Sequence, residues 1–288
     1  VLLRAKEVAE SLGFEVLHMY VDALWLKKPG ASRKEDYDEL LWEISVRTGL
    51  GVSLDGIYRW VAFLPSRMDA RVPVANRYFG VFQDGSLKIR GIEARRRDTP
   101  PWVQEVQSRM LKSLSRASSI SSLPAQVGTA FHMLEGALLD LREGRVPPEK
   151  LVITSRISHE LESYRSPTPG ARAAMILLEK TGVRIRPGQK MRFVFVKKAP
   201  GVSPWEVHEK LDPADLDKVK YTELLARAAG SVLQPFGFKD EQIKQWAHQS
   251  TLSFQFDLTG KESNVRSIHD HDPIGRTARA VSTRRNVS

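Results

Sequence analysis

Charged side chains in the segment 88–107, KIRGIEARRRDTPPWVQEVQ, follow an order that suits a polyanion. Lys88 and Arg90 alternate along an apolar stretch; then come Glu93, the run Arg95, Arg96 and Arg97, and Asp98. Cations two apart on a strand share one face and can follow a sugar–phosphate backbone without reading bases. The same pattern describes a solvated charged edge that prevents sheet pairing, and both readings stand on these residues alone. A second place with chemical potential is His18-Met19-Tyr20-Val21-Asp22-Ala23-Leu24-Trp25. A carboxylate at Asp22 could hold a divalent metal ion, or could simply be a solvated acid at a strand end. His269-Asp270-His271-Asp272 has metal-ligand residue types, but it sits in a polar stretch without periodicity, where no site is expected. Neither a Gly-rich phosphate loop nor a Gly-x-Ser-x-Gly elbow occurs.

Positioning such groups takes a core, and 288 residues with 41% hydrophobic content supply enough for two domains and a tail. The formal charge of +10 favours a polyanionic partner, nucleic acid foremost. The absence of cysteine excludes disulfides, thiolate metal sites and cysteine nucleophiles, and it suits a reducing compartment. No apolar run reaches the roughly 20 residues of a membrane helix. The chain opens at Val1 in a helical pattern without a starting Met or a signal sequence, as a piece of a longer protein would.

Apolar periodicity predicts a helix over 1–13, stopped by Gly13, and then a single strand over 15–26. In that strand Leu17, Met19, Val21, Ala23 and Trp25 would share one face, and His18, Tyr20 and Asp22 the other. A helix over 35–48, a strand over 57–64, and strands 78–82 and 87–94 around the turn dipeptide Asp84-Gly85 follow. After Asp98-Thr99-Pro100-Pro101 the pattern turns helical: 102–115, 124–143, 171–181 and 220–236, with strands 151–153 and 190–197. Phe63, Trp60, Phe193 and Phe195 lie in strands and read as core rather than as base-stacking platforms. The fold class is therefore α+β: an antiparallel sheet domain, a mainly helical second domain, and a polar, basic, disordered tail beyond residue 256.

These motifs, in order, resemble family B DNA polymerases. The run Lys88-x-Arg90-Gly91-Ile92-Glu93, ending in Arg96-Arg97-Asp98, is similar to the strand that closes that family's palm. Asn76-Arg77-Tyr78 stands where the family has a Lys-x-Tyr motif at the primer strand, an amide replacing the ammonium. Leu151-Val152-Ile153-Thr154 with Tyr164, Gly188-Gln189-Lys190 leading into Arg192-Phe193-Val194-Phe195, and the stretch 217–237 with Tyr221 are similar to its thumb. The likeness covers 1–237 and implies palm over 1–101, thumb over 102–248, and DNA contacts from Asn76, Arg77, Tyr78, Lys88, Arg90, Arg95, Arg96 and Arg97.

The family's catalytic hairpin reads Tyr-Gly-Asp-Thr-Asp-Ser, whose carboxylates hold paired Mg²⁺ ions. Aligned on Asp-Ser-Leu-Trp, Asp22 takes the second Asp position and Tyr20 the first; aligned on the tyrosine, Asp22 takes the first and the second is lost. One carboxylate remains either way, as in the archaeal and bacterial branch with degraded catalytic motifs. The resemblance implies a template-directed nucleotidyltransferase in which Asp22 contributes to the Mg²⁺ site and an amino-terminal polymerase portion supplies the rest. Primer–template DNA is the implied partner and the cytoplasm, at the nucleoid, the implied location. This chain alone is expected to be inactive, and a catalytically silent DNA-binding or scaffold subunit is the alternative. Residues 249–256, QSTLSFQF, resemble the clamp-binding peptide of replication proteins, with Gln249, Leu252 and Phe256 as contacts to a sliding clamp. An edge strand of period two explains the same residues equally well, and 257–288 is the tail.

Overall fold

A computed structural model of the chain describes residues 1–66, 73–207, 211–249, 274–276 and 279–283. Among them no helix is long and apolar enough to cross a membrane. The chain forms two units: Val1–Gly91 and Lys112–Gln126 with the described residues of Asp257–Ser288, and Ile92–Leu111 with the described residues of Val127–Phe256. The sequence reading divides the chain at Pro101; the units instead exchange chain at Gly91 and again within two helices.

In the first unit, α1 (Leu2–Ser11) buries Ala5, Val8 and Ala9, a helical stripe at spacings of three and four. The expected single strand over 15–26 is a hairpin: β1 (Glu15–Tyr20) and β2 (Ala23–Lys27) pair antiparallel, with Tyr20 opposite Ala23 and Val21-Asp22 as the turn. Period-two alternation cannot show this break, because a two-residue turn returns the chain with its alternation intact. No Gly or Asn marks the turn; Val21 itself takes φ +49°, unusual for a β-branched residue. The expected faces change accordingly. His18 stands opposite Trp25 with ring centroids 5.1 Å apart, where one continuous strand would have separated them.

A one-turn 3₁₀ segment leads into α2 (Asp38–Thr48), which ends at Gly49. β3 (Val52–Pro65) starts five residues before the expected strand, β4 (Pro73–Phe82) likewise starts early, and β5 (Leu87–Arg90) stops at Gly91 rather than at residue 94. The Asp84-Gly85 turn joins β4 to β5 as expected, and Asp84 accepts hydrogen bonds from the Ser86 backbone and hydroxyl. The sheet is apolar on both faces, as the alternation Leu24-Trp25-Leu26 requires. Leu24 and Leu26 pack with Ala5, Val8, Leu40 and Ile44 of the helices, and Trp25 packs with Tyr58, Val61 and Tyr78. Two stretches of the tail, expected to lack regular structure, are strands β9 (Ile274–Arg276) and β10 (Arg279–Thr283). β10 lies between β2 and β3, and β9 pairs with β3.

The helices α3 (Pro101–Leu114) and α4 (Leu123–Arg142), each divided between the units, and α5 (Pro169–Thr181) and α6 (Lys218–Leu233) of the second unit fall close to their expected ranges. A short α7 (Asp240–His248) was not expected; its signal is the spacing of Ile243, Trp246 and Ala247, all buried. β6 (Ile153–Arg156), β7 (Lys190–Phe195) and β8 (Val202–Pro204) form an antiparallel sheet in that order. α5 packs on this sheet through Gly170, where a Cβ would run into the Ser155 hydroxyl.

Candidate nucleic-acid interface

The first unit displays the residues of the two strand motifs side by side. β4 and β5 pair with Tyr78 opposite Arg90 and Gly80 opposite Lys88. Gly91 ends β5 at φ +66°, and a Cβ there would strike the Asn76 carbonyl, so glycine both permits the turn and lets the two motifs meet. Asn76 is exposed on β4. Arg77 is half-buried and donates from its guanidinium to the Pro65 carbonyl at 2.9 Å. Tyr78 is 5% exposed, its ring against Trp25 and Phe63 at centroid distances of 5.2 and 5.8 Å. Burial pushes its phenol up from the ordinary range, while the adjacent Arg90 guanidinium acts against that shift. The ring expected at the primer strand thus belongs to the aromatic core. Lys88 is paired as well: its ammonium lies 3.0 Å from Asp55. Arg90 is exposed. The core reading of the strand aromatics agrees with the burial of Trp60 and Phe193.

The arginine run belongs to the second unit. After a single 3₁₀ turn, Glu93–Arg95, the backbone of Arg96 is extended and the three arginines are exposed. Arg96 is bidentate on Asp98, at 2.9 and 2.6 Å, and this contact holds the Asp98 carboxyl below the ordinary carboxylate range. Arg95 and Arg97 have no ion pair among the described residues. Glu93, by contrast, is only 6% exposed and hydrogen-bonded to Gln107.

Sequence reasoning missed a further pair of cations. On the sheet of the second unit Arg156 stands directly opposite Lys190, both exposed and without an ion pair among the described residues. Like charges facing each other across a ladder repel, so this register favours an anion between or above them. Next along, Arg192 is taken by Glu206 at 2.9 Å. The signal available was the alternation of Lys190 and Arg192 with buried Met191 and Phe193; the partner Arg156 is visible only in the register.

Asp22 occupies the exposed turn of the β1–β2 hairpin. Among the described residues no three His, Cys, Asp or Glu side chains gather in a metal-ligating group. One carboxylate from this turn is a single ligand, and no group among the described residues holds a pair of divalent ions. Gln249 is exposed, and its carbonyl accepts from Arg142 at 2.6 Å. Leu252, Phe256 and the 269–272 His/Asp run lie outside the described residues.

Residues 75–233, more than half of the chain, match the family model described as DNA polymerase family B. All eight residues assigned to DNA contact fall inside that match, and Asp22 falls outside it. DNA polymerase 1 of Sulfolobus acidocaldarius is 27% identical over 235 residues, covering 82% of this chain and 25% of the relative. DNA polymerase 2 of Aeropyrum pernix is 26% identical over 249 residues, 85% of this chain and 28% of the relative. The chain therefore spans about a quarter of the length of these relatives. The solved family B DNA polymerase of Pyrobaculum calidifontis superposes on 81% of this chain and 28% of its own, with a TM-score of 0.54 at 22% identity, a likeness of fold.

Proposed function

The chain belongs to DNA polymerase family B, and on that premise we propose that it grips the sugar–phosphate backbone of primer–template DNA as the rear palm and thumb of a longer polymerase. The observation that carries this reading is the contrast within the arginine run. Arg96 is neutralised by Asp98, while Arg95 and Arg97 flank it exposed and without an ion pair among the described residues. Two cations at that spacing, left uncompensated at a cost in self-repulsion, are what a polyanion would neutralise. Arg90 on the palm sheet and the Arg156–Lys190 pair on the thumb sheet extend the same chemistry within their own units.

The test is titration of a fluorescent primer–template duplex over a range of salt. Affinity should fall with a logarithmic slope of about 0.9 per phosphate neutralised, with little dependence on sequence. Arg95→Ala with Arg97→Ala should reduce that slope by roughly two units, and Arg96→Ala by less. A flat salt response would defeat the reading.

Asp22 supplies one carboxylate to the nucleotidyl-transfer site, and the remaining ligands for Mg²⁺ come from the amino-terminal portion of the polymerase, in the same or another chain. Residues 249–256 tether the protein to a sliding clamp, and its place of work is chromosomal DNA in the cytoplasm. Loss of templated synthesis on Asp22→Asn in the complete polymerase tests the first of these. An unchanged rate would favour the silent DNA-binding subunit.

A further inference from the structure

Two glutamines on one face of α3 grip the backbone that carries the arginine run. Gln107 is fully buried, and each of its polar atoms is used. Its Oε1 accepts from the Ala94 N–H, and its Nε2 donates to Glu93 Oε2 at 3.0 Å and to the Ala228 carbonyl of α6 at 2.6 Å. One helical turn earlier, Gln104 Nε2 donates to the Arg96 carbonyl at 2.6 Å. Residues three apart on a helix lie on the same face, so the two amides act along one line. They hold the backbone before Arg95 and between Arg95 and Arg97. The Arg227 guanidinium stands 3.9 Å from the buried Glu93 carboxylate and completes the anchorage on α6. The Ala94 N–H and the Arg96 carbonyl are thus each held by an amide of α3, yet the side chains of Arg95 and Arg97 stay exposed.

We propose that Gln107, assisted by Gln104, is a positioning residue that pre-organises Arg95 and Arg97 to meet two phosphates at once. The inference rests on the DNA-backbone reading above. Its physical basis is that holding the run in its bound geometry before contact removes an ordering cost that binding would otherwise bear. A buried amide with all three hydrogen bonds satisfied is suited to this, because two of the bonds hold the adjacent residues Glu93 and Ala94, the third ties them to α6, and water does not reach the buried amide to replace any of them.

The experiment is a double-mutant cycle in the full chain, read as the salt dependence of binding to a fluorescent primer–template duplex. Gln107→Met keeps the side-chain volume and removes the amide. It should weaken binding about tenfold at low salt and lower the salt slope by between one and two units, as two phosphate contacts become one or none. Added to Arg95→Ala/Arg97→Ala, it should then change almost nothing, since the groups it positions are gone. A role confined to folding would lower the melting temperature but leave the two effects additive, and additivity overturns the inference. If Gln107→Met does not fold, Gln104→Ala, which deletes only the contact to the Arg96 carbonyl, takes its place in the cycle with the same expected coupling and the same overturning result. If Arg95→Ala/Arg97→Ala alone leaves binding unchanged, the DNA-backbone reading fails, and the inference with it. A strong arginine effect with no glutamine coupling defeats the inference alone.

Discussion

Asp55 holds Lys88: its carboxylate oxygens lie 3.0 and 3.3 Å from the ammonium, across 33 positions of sequence. Both side chains are about a third exposed or less, 27% for Lys88 and 31% for Asp55, so the contact is screened only in part. The first cation of the motif strand is thus compensated within the fold, and a phosphate placed there would compete with a carboxylate.

Asp55→Asn should release Lys88 and tighten binding of a primer–template duplex by about two- to fivefold at low salt, with a salt slope steeper by about 0.9. Anisotropy titrations at several salt concentrations measure both. Weaker binding by the variant would mean that Asp55 aims Lys88 at the backbone rather than competing for it.

Replacing Arg156 or Lys190 by Ala should move stability and DNA affinity in opposite senses. Removing one member of the facing pair relieves a repulsion of about 0.2–1 kcal/mol, so the melting temperature of the free protein should rise slightly. Affinity for the duplex should fall, and the salt slope should drop by about 0.9. Calorimetry and binding on the same preparations decide it; a variant that loses stability and keeps its affinity would show the pair to be structural.

Val21 is 73% exposed at φ +49°, so its side chain pays for a left-handed conformation with little burial in return. Val21→Gly removes a Cβ penalty of about 1–2 kcal/mol against a glycine entropy cost of about 0.5–1 kcal/mol. The net expectation is stabilisation by up to about 1.5 kcal/mol, visible as a higher urea midpoint at unchanged m-value. A lower midpoint would mean that the turn depends on contacts of the valine methyls.

Purified alone, the chain should not extend a primer when supplied with nucleotides and Mg²⁺. It spans about a quarter of its relatives' length, and the turn of its hairpin offers Asp22 as a single carboxylate. Templated extension that disappears in Asp22→Asn would refute this, and a gel-based extension assay shows either result.

Local patterns written into contiguous residues were legible from the start. The apolar spacing that makes α3 and α4, the Asp84-Gly85 turn, and the co-linear motifs from Asn76 to Tyr221 are properties of neighbours in the chain, so the sequence alone determined the α+β class and the family. The hairpin at Val21-Asp22 was not legible, because its turn lacks Gly, Asn and Pro and its alternation runs on unbroken. Nor could the sequence say which cations are left uncompensated. Lys88 is compensated by Asp55, and the backbone leading into the arginine run is bonded by Gln107, which also reaches Ala228, 121 positions away. Arg156 acquires its like-charged neighbour Lys190 only through strand register. A charge pattern lists the ionic groups a chain possesses. Folding decides which of them neutralise one another, because Coulomb energy depends on separation in space, and separation in sequence does not set it.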